Sequence, residues 1–300
     1  MDEELERIAD VVAARIRAQL GSALASPASA APAHACTGAC DSDGCSSCGH
    51  CVTKKPQEVR SIVGEGAVRV SSRPGAGSVE GDLAGLIDHT LLKPEASAED
   101  LKKLCAEAVK YNFASVCVNS SNVSRCRGLL GASQVMVCAV VGFPLGAMSS
   151  GSKAFEARDA VRNGAAEIDM VVNIGALKAG DYATVQEDIS RVVAAARPAH
   201  VKVILETGML TDEEKVAGCT LSKLAGANFV KTSTGFGKGG ATAEDIALMR
   251  RVVGGAMGVK ASGGIKSAYD VRRMVKAGAT RVGASASVAI VSGRVSTSSY

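Results

Sequence analysis

The sequence predicts an α/β fold, a (β/α)8 TIM barrel, over residues 82–300. Eight short apolar runs alternate there with segments of helical periodicity. Helix start and stop signals separate the runs, and the segment approaches the ~250 residues that such barrels commonly occupy. A doubly wound open sheet is the alternative, but it usually carries a glycine fingerprint after its first strand. Here that turn is Lys93–Pro94, which favours the barrel.

The predicted strands are short runs rich in apolar residues. Successive strand residues point to opposite faces, so a polar residue inside such a run faces either the barrel interior or the surrounding helices. Reactive residues of these barrels lie at the carboxyl ends of the strands. The runs cover residues 86–92, 115–119, 136–142, 167–173, 201–206, 229–234, 259–263 and 281–285.

The predicted helices carry capping signals. A Ser or Thr followed three residues later by Asp or Glu fits a capping box, and a Gly just past a helical segment fits its end. The start pairs are Ser97 with Asp100, Thr211 with Glu214, Thr242 with Asp245 and Ser267 with Asp270, and the stop residues are Gly164, Gly226, Gly254 and Gly278.

The first 81 residues predict an extension without a core of its own. Residues 4–20 place apolar side chains at the spacing of an amphipathic helix, and Gly21 ends it. An Ala/Ser/Pro linker and a cysteine-rich segment over residues 36–51 follow, and we expect this part to be largely disordered. We therefore divide the chain into an extension, residues 1–81, and a barrel domain, residues 82–300.

Composition excludes several classes of protein. A net charge of +4 without a basic stripe argues against nucleic-acid binding. The amino terminus is acidic and amphipathic rather than basic and then apolar, which argues against a secretory signal. The longest apolar region, residues 135–148, is too short to span a membrane. We expect a cytoplasmic protein that forms a homo-oligomer, a dimer or a tetramer.

Two lysines lie inside apolar strands and indicate amine chemistry. Lys231 lies in FVKTSTGF and Lys260 in VKASGGIK, each close to a glycine-containing turn. Burial and a like-charged neighbour lower the pKa of a lysine, and a neutral amine can form a Schiff base with a carbonyl. A pair of salt-bridged structural lysines is the alternative, but two such lysines on consecutive strands favour catalysis.

Further polar residues share the predicted interior. Lys202 and Glu206 alternate with Ile204 on the fifth strand, and Asp169 lies among apolar residues on the fourth. We expect three lysines and these acids to converge at one polar centre. Asp169 is either a structural partner for a lysine or a proton-transfer group, and its place beside two buried lysines favours proton transfer.

Small residues after the last strands predict a phosphate site. Barrels often hold a phosphate at the loops that follow strands seven and eight, where backbone N–H groups are accessible. The glycine turn after strand six offers another amide. The predicted phosphate-binding residues are Gly235, Gly263, Gly264, Gly283 and Ser285.

These motifs together resemble the deoxyribose-phosphate aldolases, which are class I, Schiff-base aldolases. The resemblance rests on LIDHTLLKPEAS, VCVN, VVGFPLG, EIDMVVN, VKVILETG, FVKTSTGF, VKASGGIK and RVGAS, which occur in the family's order over residues 82–300. It implies cleavage of 2-deoxy-D-ribose 5-phosphate to D-glyceraldehyde 3-phosphate and acetaldehyde without a metal or other cofactor. Lys231 matches the Schiff-base lysine, Lys260 the second lysine that assists it, and Asp169 the proton-relaying aspartate.

The resemblance also implies residues that bind substrate and orient water. These are Asp88, Asn119, Lys202, Glu206 and Thr232. The chain ends in Ser-Ser-Tyr, as several members of the family do, so Tyr300 is a candidate proton shuttle. The alternative functions are another Schiff-base sugar-phosphate enzyme of the transaldolase type, or a metal-binding assembly protein whose barrel is catalytically inactive.

The extension has no counterpart in the minimal aldolase. Its helix and linker resemble the encapsulation peptides of bacterial microcompartment cargo, which predicts a shell-protein partner for residues 1–21. A helix that packs on its own barrel or mediates oligomerisation is the alternative. The cysteine-rich segment predicts an iron–sulfur cluster or a zinc ion, and a redox-active disordered tail is the other interpretation. Its candidate ligands are Cys36, Cys40, Cys45, Cys48 and Cys51.

Overall fold

The computed structural model describes residues 2–21 and 83–295. The cysteine-rich segment 36–51 and Tyr300 lie outside these ranges, so the metal site and the proton shuttle stay predictions. The first helix and the barrel belong to one compact unit. The boundary drawn at residue 81 from the sequence therefore separates two segments that the structure places in the same unit.

Eight parallel strands close into a barrel in the order in which they occur along the chain, which confirms the predicted fold. Each strand pairs with the next, and β8 pairs with β1. All eight lie at the positions predicted from the apolar runs. The strands are β1 (Ile87–Leu91), β2 (Ser115–Asn119), β3 (Met136–Val141), β4 (Glu167–Val171), β5 (His200–Ile204), β6 (Phe229–Lys231), β7 (Gly258–Ser262) and β8 (Arg281–Ala284).

Helices follow the strands on the outside of the barrel. Within the described ranges no helix has the length and apolar character needed to cross a membrane. The helices are α1 (Asp2–Leu20), α2 (Ala98–Tyr111), α3 (Val123–Leu130), α4 (Ser150–Arg162), α5 (Ile174–Lys178), α6 (Tyr182–Ala196), α7 (Asp212–Leu224), α8 (Ala243–Val253), α9 (Ala268–Ala277) and α10 (Ser287–Val291).

The predicted capping boxes form at three of the four helices. Ser97, Thr211 and Ser267 exchange hydrogen bonds with the residue three positions later, which satisfies two backbone groups at each helix start. At α8 the Thr242 hydroxyl accepts from the Asp245 backbone N–H. The Asp245 carboxylate pairs with Lys215 at 2.7 Å instead of accepting from the Thr242 backbone N–H, so the capping box is not completed.

Strand alternation separates an apolar layer from a polar interior. On β4, the outward side chains of Ile168 and Met170 join the main core between sheet and helices, whereas Asp169 faces inward. A second, smaller apolar cluster lies inside the barrel and contains Leu92, Cys117, Cys138 and Val140. The interior is therefore apolar on the β2–β3 side and charged elsewhere.

Helix α1 packs against α6 and α7 with its apolar face. Val12 and Ile16 are 1% and 2% exposed. The Gln19 side chain donates to the Gly180 carbonyl at 2.7 Å and accepts from the Tyr182 backbone at 2.9 Å, and Arg15 pairs with Glu213. The amphipathic pattern read from the sequence is thus satisfied by the protein's own barrel, because the helices beside it offer a matching apolar groove.

Candidate active site

Lys231 ends β6 with its ammonium inside the barrel. The side chain is 2% exposed and donates to Asp169 Oδ2 at 2.8 Å. Lys231 also lines a cavity at the carboxyl ends of the strands. Because reactive residues of this fold lie at that face, Lys231 has both access to a ligand and a buried acid beside it.

Asp169 joins the second lysine to the first. Lys260 on β7 is the register partner of Lys231, and its ammonium lies 2.7 Å from the same Oδ2 atom. Lys260 also contacts Asp88 Oδ2 at 2.5 Å. The structure therefore brings Lys231, Lys260 and Asp169 together, with one carboxylate oxygen shared by two ammonium groups. Asp88, expected from the resemblance to contact substrate, is fully buried against Lys260 and does not line the cavity.

Lys202 lies in the same cluster but has no donor left for a ligand. Its ammonium lies 2.7 Å from Glu167 Oε2, 3.0 Å from Asp169 Oδ1 and 3.4 Å from Cys138 Sγ. An ammonium has three N–H donors, and these partners use all of them. Lys202 is fully buried and does not line the cavity, so the geometry favours an internal ion pair over the substrate contact expected from the sequence.

Two charged members of the cluster were not singled out from the sequence. Arg281 at the start of β8 donates to Asp88 Oδ1 at 2.7 Å and to both oxygens of Glu167 at 3.1 Å. Glu167 faces inward because it lies two residues before Asp169 on β4. That two-residue spacing could have predicted from the sequence that Glu167 faces the barrel interior. Arg281 lies at the start of a strand, where a charged residue is usually on the surface, so its sequence position gave no such indication.

The ion pairs shift the pKa values of the buried groups strongly. Burial alone would raise the pKa of Asp169, but the ammonium groups of Lys202, Lys231 and Lys260 outweigh it and hold the pKa well below its usual range. Burial would likewise raise the pKa of Asp88, and Lys260, Lys202 and Arg281 lower it instead. Both carboxyls are therefore ionised at neutral pH.

The cationic partners respond in the opposite direction. Burial alone would lower the pKa of Lys260, but the carboxylates of Asp169 and Asp88 outweigh it and raise the pKa. Burial also opposes the rise at Lys202, where Asp169 is the strongest of the raising partners. Lys260 is thus a positively charged neighbour of Lys231 at neutral pH in the absence of substrate.

The number of ion pairs that each cation makes distinguishes one lysine of the cluster from the others. In the described part of the chain the connected groups are four cations and three carboxylates, so all seven ionised leave an excess of +1. The cluster comprises Lys202, Lys231, Lys260 and Arg281 with Asp88, Glu167 and Asp169. Lys231 makes one of these contacts and borders the cavity, whereas each of the other three cations makes at least two and does not line the cavity.

The cavity above Lys231 is lined by small residues of the last three loops. All five residues predicted to bind phosphate line it, together with Thr90, Leu92 and Lys266. Gly283 has a steric reason to lack a side chain, since a Cβ there would overlap Ser262 Oγ and lie 3.0 Å from Cε of Lys260. The predicted residues are Gly235, Gly263, Gly264, Gly283 and Ser285.

Glu206 does not reach the lysine centre that the sequence predicted for it. Strand β5 ends at Ile204, and Glu206 has a left-handed backbone with φ of 60°, so the strand alternation stops before it. Its carboxylate accepts from the Thr234 backbone at 3.1 Å and from the Thr234 hydroxyl at 2.5 Å. Glu206 therefore holds the loop after β6, which forms one wall of the cavity.

Two other predicted substrate residues make internal hydrogen bonds. The Thr232 hydroxyl donates to the Ser262 carbonyl and accepts from the Ser262 backbone N–H, both at 3.0 Å. The Asn119 amide donates to the Leu92 carbonyl at 3.2 Å. Neither residue lines the cavity. Thr232 and Asn119 connect neighbouring strands and loops in this structure, which differs from the ligand contacts expected of them.

The chain matches the family model described as DeoC/LacD family aldolase over residues 83–298. It is 59% identical to a deoxyribose-phosphate aldolase of Lysinibacillus sphaericus over 223 residues, covering 74% of this chain and 100% of the relative. A Clostridium perfringens relative of the same name is also 59% identical, covering 73% and 98%. The tetrameric deoxyribose phosphate aldolase structure from Aeropyrum pernix superposes with a TM-score of 0.68 at 35% identity, covering 78% and 96%.

Proposed function

Because the chain belongs to the DeoC/LacD family of aldolases, we propose that it cleaves 2-deoxy-D-ribose 5-phosphate reversibly to D-glyceraldehyde 3-phosphate and acetaldehyde. The observation that carries this proposal is the contact between Lys231 and Asp169 at 2.8 Å, at the floor of a cavity walled by glycine loops. A buried amine, an acid beside it and an anion-accepting rim are the parts that this reaction needs.

The amine supplies the electron sink. Neutral Lys231 attacks the C1 carbonyl of the open-chain sugar phosphate, and loss of water gives an iminium ion. The C2–C3 bond then breaks, its electron pair forms the C1–C2 double bond of an enamine, and the C3 hydroxyl proton leaves as the aldehyde forms. Protonation of the enamine at C2 and addition of water release acetaldehyde and restore the amine.

Asp169 and Lys260 are placed to move protons around that nitrogen. Both Lys231 and Lys260 lie within 2.8 Å of Asp169 Oδ2, so a proton on one group is a single hydrogen bond from the next. Conversion of the iminium to the neutral enamine removes one positive charge next to the carboxylate. The proton affinity of Asp169 rises at that stage, so its carboxylate can accept the proton that leaves the C3 hydroxyl and then deliver it to C2 of the enamine.

The glycine loops suit the phosphate of the substrate. Gly263 and Gly264 both have positive φ values, 89° and 77°, and both line the cavity, where the absence of side chains leaves room for an anion beside the backbone. Lys266 on the same loop adds a positive charge to the rim. Holding the phosphate there would fix the sugar at one end while C1 reaches Lys231, which converts the attack into an oriented, effectively unimolecular step.

Borohydride trapping tests the proposal. Incubation with 2-deoxy-D-ribose 5-phosphate and borohydride should attach the reduced adduct to Lys231, and Lys231→Met should abolish both the adduct and acetaldehyde release. Lys276→Met, an exposed lysine at the end of α9, is the matched control and should retain both. An adduct on another lysine, or turnover in Lys231→Met, would refute the assignment, and a product other than acetaldehyde would favour a transaldolase-type enzyme.

A chelator supplies a second test. Because the iminium takes the place of a metal ion as electron sink, we expect treatment with EDTA to leave turnover unchanged. Loss of activity with EDTA and its return with a divalent metal would contradict the Schiff-base mechanism. The same experiment separates catalysis from any metal held by the cysteine-rich segment.

We also propose that the protein is a cytoplasmic homo-oligomer, a dimer or a tetramer. The tetrameric assembly of the Aeropyrum pernix aldolase supports this proposal. Light scattering after size-exclusion chromatography would give the mass directly. A monomer across the micromolar range would contradict it.

We also propose that residues 1–21 target the protein to a bacterial microcompartment. The amphipathic pattern supports it, but Val12 and Ile16 are buried against the barrel, so a shell protein would compete with α6 and α7 for the same face. A fluorescent protein fused to residues 1–21 should then assemble with shells, and Val12→Asp should prevent this. A diffuse fusion beside intact shells would leave barrel packing as the function of the helix.

A further inference from the structure

The carboxylate of Asp169 is held from two sides. Oδ2 accepts hydrogen bonds from Lys231 and Lys260, the pair assigned to the chemistry. Oδ1 accepts from Lys202 at 3.0 Å and from the Cys138 thiol at 3.1 Å. The proposed mechanism uses the first side and leaves the second side unexplained.

Cys138 is built into this second side by the sheet. It is the register partner of Glu167, and its fully buried side chain faces the barrel interior. Lys202 donates to its sulfur at 3.4 Å while also donating to Asp169 Oδ1, so the three groups form a closed triangle. Burial, first of all, raises the pKa of the Cys138 thiol, which therefore keeps its proton and acts as a donor.

We infer that Cys138 is a positioning residue that fixes the carboxylate plane of Asp169, so that Oδ2 bridges Lys231 and Lys260. The terminal torsion of an aspartate is broad, so the hydrogen bonds to the two oxygens set the orientation of the carboxylate. Without the thiol, Oδ1 keeps only Lys202, and Oδ2 spends less time between the two lysines. This inference rests on the proposed function, because it concerns the timing of proton transfer at that centre.

The position of Cys138 predicts which kinetic constant changes. Cys138 does not line the cavity, so its removal should leave substrate binding intact. A thiol is a weak donor, but its acceptor here is a buried carboxylate, and loss of its orienting effect should lower kcat about 10-fold.

The test compares Cys138→Val, which lacks a donor, with Cys138→Ser, which keeps one. Cys138→Val should lose about 10-fold in kcat with KM within about twofold. Cys138→Ser should regain most of the kcat. Cys219→Ala, another fully buried cysteine, on α7, controls for removal of a thiol from the core. Cys138→Ala replaces the Val variant if that one fails to fold.

The outcomes separate this inference from the proposed function. Wild-type turnover with an adduct on Lys231, together with a Val variant of unchanged kcat, overturns the role of Cys138 alone. A Ser variant as slow as the Val variant, with both folded by near-ultraviolet circular dichroism, overturns it as well. A wild-type protein that forms no adduct would instead remove the proposed function.

Discussion

A buried ion pair between α4 and α6 gives a quantitative prediction about stability. Lys153 and Asp188 are 0% and 1% exposed, and their charged atoms lie 2.6 Å apart. Lys153 also donates to the Val171 carbonyl at 2.9 Å, at the end of the strand that carries Asp169. Asp188 Oδ1 has no hydrogen-bond partner among the described residues, so the carboxylate depends on this lysine.

Lys153→Met should therefore destabilise the protein strongly. Removal of one partner leaves an uncompensated buried charge, which costs about 3–5 kcal/mol of unfolding free energy. In a domain of this size 1 kcal/mol corresponds to about 2–4 °C, so we expect Tm to fall by about 6–20 °C. The double variant Lys153→Met with Asp188→Leu removes both charges and should recover to within about 1–2 kcal/mol of wild type, because only the bond to Val171 is then lost.

Urea and thermal unfolding followed by circular dichroism measure this cycle. The two single variants, the double variant and the wild type give the coupling free energy directly. The exposed pair of Arg191 and Glu187, four residues apart on α6, is a matched control whose removal should cost under about 1 kcal/mol. Single variants that lose no more than this control, or a double variant as unstable as the sum of both, would refute the reasoning.

Three further predictions concern catalysis, pH and the first helix. Asp169→Asn should lower kcat on the order of 10²-fold or more in a steady-state assay, because the amide cannot relay a proton between the lysines. Unchanged turnover would show that Asp169 is only a structural partner of the lysines. Burial lowers the pKa of His89 although its hydrogen bond with Glu107 opposes this, so the unfolded chain binds a proton that the folded chain does not. The unfolding free energy should therefore reach its highest value above about pH 6.5 and decrease as the pH falls below it. In urea titrations at several pH values, His89→Gln should reduce this dependence of the unfolding free energy on pH. The same pH dependence in the variant and the wild type would contradict the shift. Ile16→Asp should lower Tm by several degrees with kcat unchanged, because it places a charge in the buried face between α1 and the barrel. Ile16→Leu, the control, should leave Tm unchanged. An unchanged Tm in Ile16→Asp would show that the helix contributes nothing to the stability of the barrel.

The sequence was sufficient to predict the fold because each strand is a distinct apolar run. All eight runs became strands, and the capping residues marked the helix starts. The centre of the site was also predictable, since lysines and an aspartate inside apolar strands have few places to face other than the interior. Strand alternation placed Lys202 and Asp169 in the same layer before any contact was known.

The errors and omissions have local physical causes. Glu206 was placed in the lysine centre because alternation was extended beyond Ile204, where the backbone turns left-handed. Cys138 was not singled out from the sequence, because only its register with β4 reveals the acid beside it. The pair of Lys153 and Asp188 lies on two helices that meet in space, and helical periodicity within one segment cannot indicate such a partner.

Gly283 has a consequence for altering this catalyst by laboratory evolution. A side chain at that position would occupy the volume through which Lys260 extends, so it would damage the catalyst before it changed any preference among substrates. Position 283 is therefore best held constant in a mutant library. Phe236 follows the cavity-lining Gly235, is 46% exposed and stacks edge to face on Phe143 at 5.3 Å. Random substitutions at Phe236 would change the shape of the cavity entrance and leave the buried charged cluster intact.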